Sequence, residues 1–123
     1  VGDVHIPKDL VAASATPLVL GILARQESYG YAILKQISEL SGGELEWSDG
    51  LLYPLLHRLE RIEHIESFWD TPEGGRRRKY YRITEQGRRE LVQHRRQWAA
   101  VVEALDGIWQ LAQGPMTARP AEA

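Results

Sequence analysis

Residues 74–87 of this chain read Gly-Gly-Arg-Arg-Arg-Lys-Tyr-Tyr-Arg-Ile-Thr-Glu-Gln-Gly. A glycine turn, four consecutive cations, a β-prone run and a helix start follow one another in fourteen residues, which describes a basic hairpin feeding a helix. Residues 76–96 hold nine Lys or Arg against two acids, a local +7, while the rest of the chain holds six basic and fifteen acidic residues, or −9. The net charge of −2 therefore conceals a polarised molecule. A charge run taken by composition alone is most often a solvated face, but a cluster seated on a hairpin is the footprint of a protein that neutralises phosphates.

At 123 residues the chain makes one domain, able to bury roughly 65% of its unfolded surface without metal or disulfide staples. It has no cysteine, which excludes disulfides and thiol chemistry, and no apolar run approaching the ~20 residues of a membrane span. Nothing at the start reads as a signal peptide, so a cytoplasmic location is expected, with no membrane association. Four tryptophans against one phenylalanine call for a reading of each position.

Leu10, Val11, Leu18, Val19, Ile22 and Leu23 recur at helical spacing and predict a helix from Pro7 to about Gln26, with Pro17 either kinking it or starting a second one. Ser28 precedes a second helix carrying Ile33, Leu34, Ile37 and Leu40, stopped by Ser41-Gly42-Gly43. Residues 44–47 alternate as a short edge strand. Ser48 suits the N-cap of a third helix, in which Leu52, Leu55, Leu56, Leu59 and Ile62 form an apolar stripe opposite Tyr53, His57, Arg58 and Arg61. Two β-prone runs, 65–70 and 78–83, flank the loop Thr71-Pro72-Glu73-Gly74-Gly75.

Helix, helix, short strand, helix, hairpin is the winged-helix order. A last helix from Thr84-Glu85 to about Ala112 would be roughly 40 Å long, and its stripe of Leu91, Trp98, Val101, Leu105, Ile108 and Trp109 requires a partner, most simply a second copy of the chain. The predicted fold is mainly α with a small β-hairpin: a winged helix-turn-helix at 7–84, a dimerisation helix at 85–112 and a disordered tail at 113–123.

No catalytic constellation is set out in the sequence. The histidines stand apart at 5, 57, 64 and 94, and no glycine-rich phosphate loop opens a helix, so neither an enzyme, a metal nor a cofactor is expected.

In five places the residues resemble the PadR family of bacterial transcriptional regulators: Tyr29-Gly30-Tyr31-Ala32-Ile33, Gly50-Leu51-Leu52-Tyr53-Pro54, Arg58-Leu59-Glu60, Ile65-Glu66-Ser67-Phe68-Trp69, and Arg78-Lys79-Tyr80-Tyr81-Arg82-Ile83-Thr84. The resemblance covers nearly the whole expected ordered length. The short single C-terminal helix and the Ile6-Pro7-Lys8-Asp9 lead-in are similar to the small subgroup that includes multidrug-sensing repressors. It implies a homodimer that binds a pseudo-palindromic double-stranded operator and can release it when a planar aromatic compound enters a pore at the dimer centre.

By the same resemblance, Ser48, Tyr53, His57 and Arg58 belong to the helix that reads the major groove, Arg76, Arg77, Arg78 and Lys79 to the wing, and Lys35 to a backbone contact. Trp98 matches a tryptophan that sandwiches flat ligands, with Leu10, Ser14, Pro17, His94 and Val102 lining the same space; Trp98 equally suits a packed dimer seam. Three positions depart from the family pattern. Leu51 replaces a common threonine, Glu63 stands where glycine is usual and so must accept a strained backbone or a different helix end, and His94 with Arg95 makes the expected pore cationic. The alternative is a winged-helix interaction module that dimerises but has no operator preference.

Overall fold

A computed structural model of the chain describes residues 4–118, with side chains through 113. The first helix, α1 (Lys8–Arg25), runs unbroken through Pro17, which resolves the two alternatives in favour of a single helix. Pro17 removes one N–H donor from the ladder. Burial of Ala15, Val19, Leu20, Ile22 and Leu23 around and after it keeps the segment helical, and the Pro7 carbonyl closes the first turn by accepting from Leu10 and Val11.

The second helix, α2 (Gly30–Leu40), follows directly on a two-residue strand, β1 (Ser28–Tyr29). Ser28 is therefore not a helix cap. It is buried in a strand, and its hydroxyl accepts a hydrogen bond from the Gln36 amide at 3.3 Å. The α2 end is the expected one: Gly42 adopts a φ of 65°, the Gly42 N–H reaches Glu39 O at 3.1 Å, and the Gly43 N–H reaches Ser38 O at 2.8 Å.

Residues 44–47 are not a strand, contrary to the alternation of their side chains. Side chains close the loop instead. The Leu45 N–H donates to the Ser41 hydroxyl and the Ser38 hydroxyl to Glu46, while Leu45 and Trp47 pack against the core. The sheet edge that such a strand would need is taken by β1.

Ser48 occupies the N-cap position of α3 (Asp49–Arg61), although its side chain makes no capping bond; its carbonyl accepts from Leu51 and Leu52. Of the expected stripe, Leu52, Leu55, Leu56 and Leu59 are buried, whereas Ile62, at the C-cap where the helix ends, is exposed. The helix closes with the same pair of bonds as α2, Glu63 N–H to Glu60 O and His64 N–H to Leu59 O, but the left-handed position is held by Glu63 at φ 64° rather than by glycine.

Strands β2 (Ile65–Asp70) and β3 (Arg78–Ile83) form the hairpin, and the sheet order is β1-β3-β2, antiparallel throughout. The hairpin base is clamped to the α3 corner by Thr84. Its hydroxyl donates to Glu63 O at 2.7 Å and its N–H to His64 O at 3.1 Å, while its Oγ1 accepts from the Gly87 N–H and so caps the last helix, α4 (Glu85–Ala118). Gly87 packs directly against the His64 carbonyl, leaving no room for a side chain.

Val19, Leu20, Ile33, Leu52 and Leu56 are wholly excluded from solvent at the centre of the core. Each such side chain contributes about 1.5–3 kcal/mol on burial. Helix α4 continues past Ala112 through Ala118, so residues 113–118 of the expected tail are helical; 119–123 lie outside the described residues. Gly114 and Pro115 lie within it. The chain divides inside α4 into two units, Val1–Leu91 and Val92–Ala123. In the second unit Val101, Val102, Leu105, Ile108, Trp109 and Leu111 are exposed. Among the described residues no helix is long and apolar enough to cross a membrane.

Candidate nucleic-acid interface

With its leucines turned inward, α3 presents Gly50, Pro54, His57 and Arg61 to solvent, with Tyr53 at one margin and Arg58 at the other. Tyr53 lies over Gly30 at the start of α2, its phenol filling the space that any Cβ there would need. The residue is 36% exposed, so it is anchored on Gly30 while part of it remains open to solvent. His57 is one turn along on the same margin. Arg58 is drawn the other way, its guanidinium donating to the Thr16 hydroxyl of α1 at 3.1 Å.

The hairpin supplies the opposing wall. Arg76 and Arg77 lie in the loop, Arg78 and Lys79 at the start of β3. Three of these cations rest on aromatic rings: Arg77 over Trp69 and Arg78 over Tyr29, each at 4.4 Å from the ring centroid, and Lys79 over Tyr81 at 5.7 Å. Tyr29 in turn meets Tyr80 edge-on at 5.3 Å, and Tyr80 stacks on Phe68, which ties the short first strand to the wing. Between α3 and the hairpin opens a concavity of about 500 Å³ whose walls include Tyr53, His57, Arg76, Arg77, Arg78 and Lys79.

None of those four cations forms an ion pair among the described residues. Arg82, farther along β3, is spent differently: it donates to Glu66 at 2.8 Å, lies 3.7 Å from Glu27 and covers Phe68. Its hydrogen bond to Glu66 raises its pKa and holds it charged. At the floor of the concavity, burial pushes the Tyr81 phenol above its ordinary range, with Glu60 and Tyr53 adding to the shift. Glu60 is itself engaged by the Ser67 hydroxyl of β2, fixing α3 against the sheet.

The structure thus brings six of the nine sequence-derived DNA-contact residues to one surface. Lys35 is exposed on α2 and Ser48 at the start of α3, neither lining the concavity, and Arg58 faces α1. Tyr31 and Trp69 line it although sequence reasoning passed over both. Counting back across the hairpin to the residue opposite Lys79 would have found Trp69. Of the expected ligand-contact residues, Leu10, Ser14 and Pro17 lie on α1 in the first unit and His94, Trp98 and Val102 on α4 in the second. The Ser14 hydroxyl is occupied within its own helix, donating to Leu10 O at 2.9 Å. Leu51 is half-buried and lines a separate concavity with Val11 and Trp47.

The profile of the Transcriptional regulator PadR-like family matches residues 19–93, more than half of the chain and the whole of this surface. The chain belongs to the PadR-like family. Members of it are DNA-binding transcriptional regulators rather than enzymes. An uncharacterised Lysinibacillus sphaericus protein, protein X, is 31% identical over 101 residues, spanning 82% of this chain and 93% of that one. Transcriptional regulator YqjI of Escherichia coli is 34% identical over 88 residues, 72% of this chain, which spans only 41% of that regulator. A PadR-like transcriptional regulator from Bacillus cereus superposes with a TM-score of 0.76 at 26% identity, over 84% of this chain and 98% of the other, and the winged-helix fold is common to both.

Proposed function

We propose that this PadR-like regulator is a homodimeric, sequence-specific repressor that inserts α3 into the major groove and lays its hairpin along the flanking backbone. The observation that carries the reading is the concavity walled by Tyr53 and His57 on one side and, on the other, by four cations that have no carboxylate partner among the described residues. Unpaired cations are what phosphate neutralisation requires, since a cation already matched by a carboxylate releases no counterion on binding. His57 and Arg61, on the solvent face of α3, supply base discrimination, and Arg58 contributes by bracing α3 on α1. Two copies joined along the exposed apolar residues of α4 would address half-sites about one helical turn, roughly 34 Å, apart. Such a protein works in the cytoplasm, where its operator is.

Selection of operators from random duplexes, followed by binding measured across a salt series, tests this. Arg78→Ala should weaken binding to every sequence and flatten the salt dependence, by a slope of ~0.9 for each phosphate left without its cation. His57→Ala should instead relax the sequence preference and leave the slope alone. Binding without any sequence preference would favour an interaction module over a repressor.

A further inference from the structure

We propose that Trp69 is a positioning residue for DNA binding, its indole face holding Arg77 in place while the guanidinium's N–H edge stays free for a phosphate. This rests on the DNA-binding reading above. Arg77 lies outside the β ladder, and its side chain forms no hydrogen bond or ion pair among the described residues. What it has is the Trp69 ring, 4.4 Å from its central carbon.

Trp69 has little else to do. It is 55% exposed and pairs in register with Lys79, on the sheet face whose inner members, Ile65, Tyr81 and Ile83, are buried. That face carries a large apolar ring outward past the edge of the core, into the concavity shared with His57 and Tyr53.

A carboxylate would restrain an arginine as well, but it would occupy the N–H donors and cancel the charge. An aromatic face engages only the flat side of the guanidinium and does neither. The contrast occurs in this one hairpin: Arg82 lies over Phe68 but is also held by Glu27 and Glu66 and so is committed to the fold, whereas Arg77 on Trp69 has no carboxylate beside it and keeps its charge and its bidentate edge. Restraint matters because an arginine side chain left free in solution must be ordered when it meets a phosphate.

The test uses the full chain and mixed-sequence duplex DNA, since a phosphate contact is sequence-independent. Trp69→Leu should weaken binding by about threefold per wing, the scale of an exposed cation–π contact, with the salt slope unchanged because Arg77 still reaches its phosphate. Trp69→Tyr should restore most of the loss. In an Arg77→Ala background, where the slope has already fallen, Trp69→Leu should have no further effect. A Trp69→Leu loss equal in both backgrounds would show that the residue merely supports the hairpin, and no loss at all would remove any role for it. Either result overturns the proposal while leaving wild-type DNA binding, and so the functional reading, intact; failure of the wild type to bind DNA would overturn both.

Discussion

Gly30→Ala should be destabilising for a reason that lies in α3 rather than in its own helix. A Cβ at Gly30 meets the Oη, Cζ and Cε1 atoms of Tyr53 closer than atoms can approach, so the phenol must leave. Tyr53 is 36% exposed, leaving roughly two thirds of its surface covered; that share of the ~1.5–3 kcal/mol that full burial is worth sets the cost of displacing the ring fully into solvent, the upper value, at about 1–2 kcal/mol. Replacing Tyr53 with leucine removes the obstacle. Gly30→Ala in that background should then be neutral or slightly favourable, since alanine in a helix is better than glycine by up to ~1 kcal/mol. Urea unfolding of the four proteins closes a double-mutant cycle with a coupling energy of about 1–2 kcal/mol. Equal destabilisation by Gly30→Ala in both backgrounds would refute the reasoning. Gly87→Ala provides the contrast, because its obstacles are the His64 backbone carbonyl and the Ile83 side chain, 2.9 Å away, neither of which can swing into solvent; overpacking there should cost ~1–3 kcal/mol with no rescue from any single truncation.

Glu63→Gly should stabilise the protein by about 0.5–1 kcal/mol, the left-handed penalty of ~1–2 kcal/mol less glycine's entropic cost, and raise the urea midpoint without changing the slope; Glu63→Gln, which removes only the charge, should not match it. Tyr81 makes stability pH-dependent at the alkaline end. Its folded pKa lies above the ordinary 10.0, so its contribution is complete below that pH and is lost as the pH climbs through the raised value, a loss that Tyr81→Phe should reduce in unfolding curves taken above pH 10. Leu105→Lys with Ile108→Lys should convert the proposed dimer to monomer in sedimentation equilibrium and lower operator affinity by more than any single contact can; an unchanged mass would move the interface elsewhere. A variant retaining only Trp98 of the four tryptophans, titrated with flat aromatic cations, anions and phenolic acids, should show saturable quenching coupled to operator release if an effector binds there, and none if Trp98 is only a seam residue.

Local patterns in the chain determined the helices and the hairpin, because those depend on residues a few positions apart, although they placed the end of α4 at Ala112 rather than Ala118. The leucine stripe of α3 follows from its 3.6-residue spacing and the stop after α2 from Gly42, whereas at Glu63 the sequence left a strained backbone and a different helix end both open, and the φ of 64° decides for the first. The density of positive charge beside a Gly-Gly turn likewise marks the wing. Tertiary structure alone decided what depends on distant partners. Ser28 and Tyr29 form a strand only because β3 offers an open edge, a pairing too short to leave a periodicity in the sequence. Arg58 follows His57 directly in sequence, yet its guanidinium bonds to Thr16, 42 residues away, because successive side chains leave a helix ~100° apart, so that His57 lines the concavity and Arg58 reaches α1. The seating of Arg77 on Trp69 similarly follows from the hairpin register and the loop that closes it, which set two side chains face to face across strands that composition cannot align.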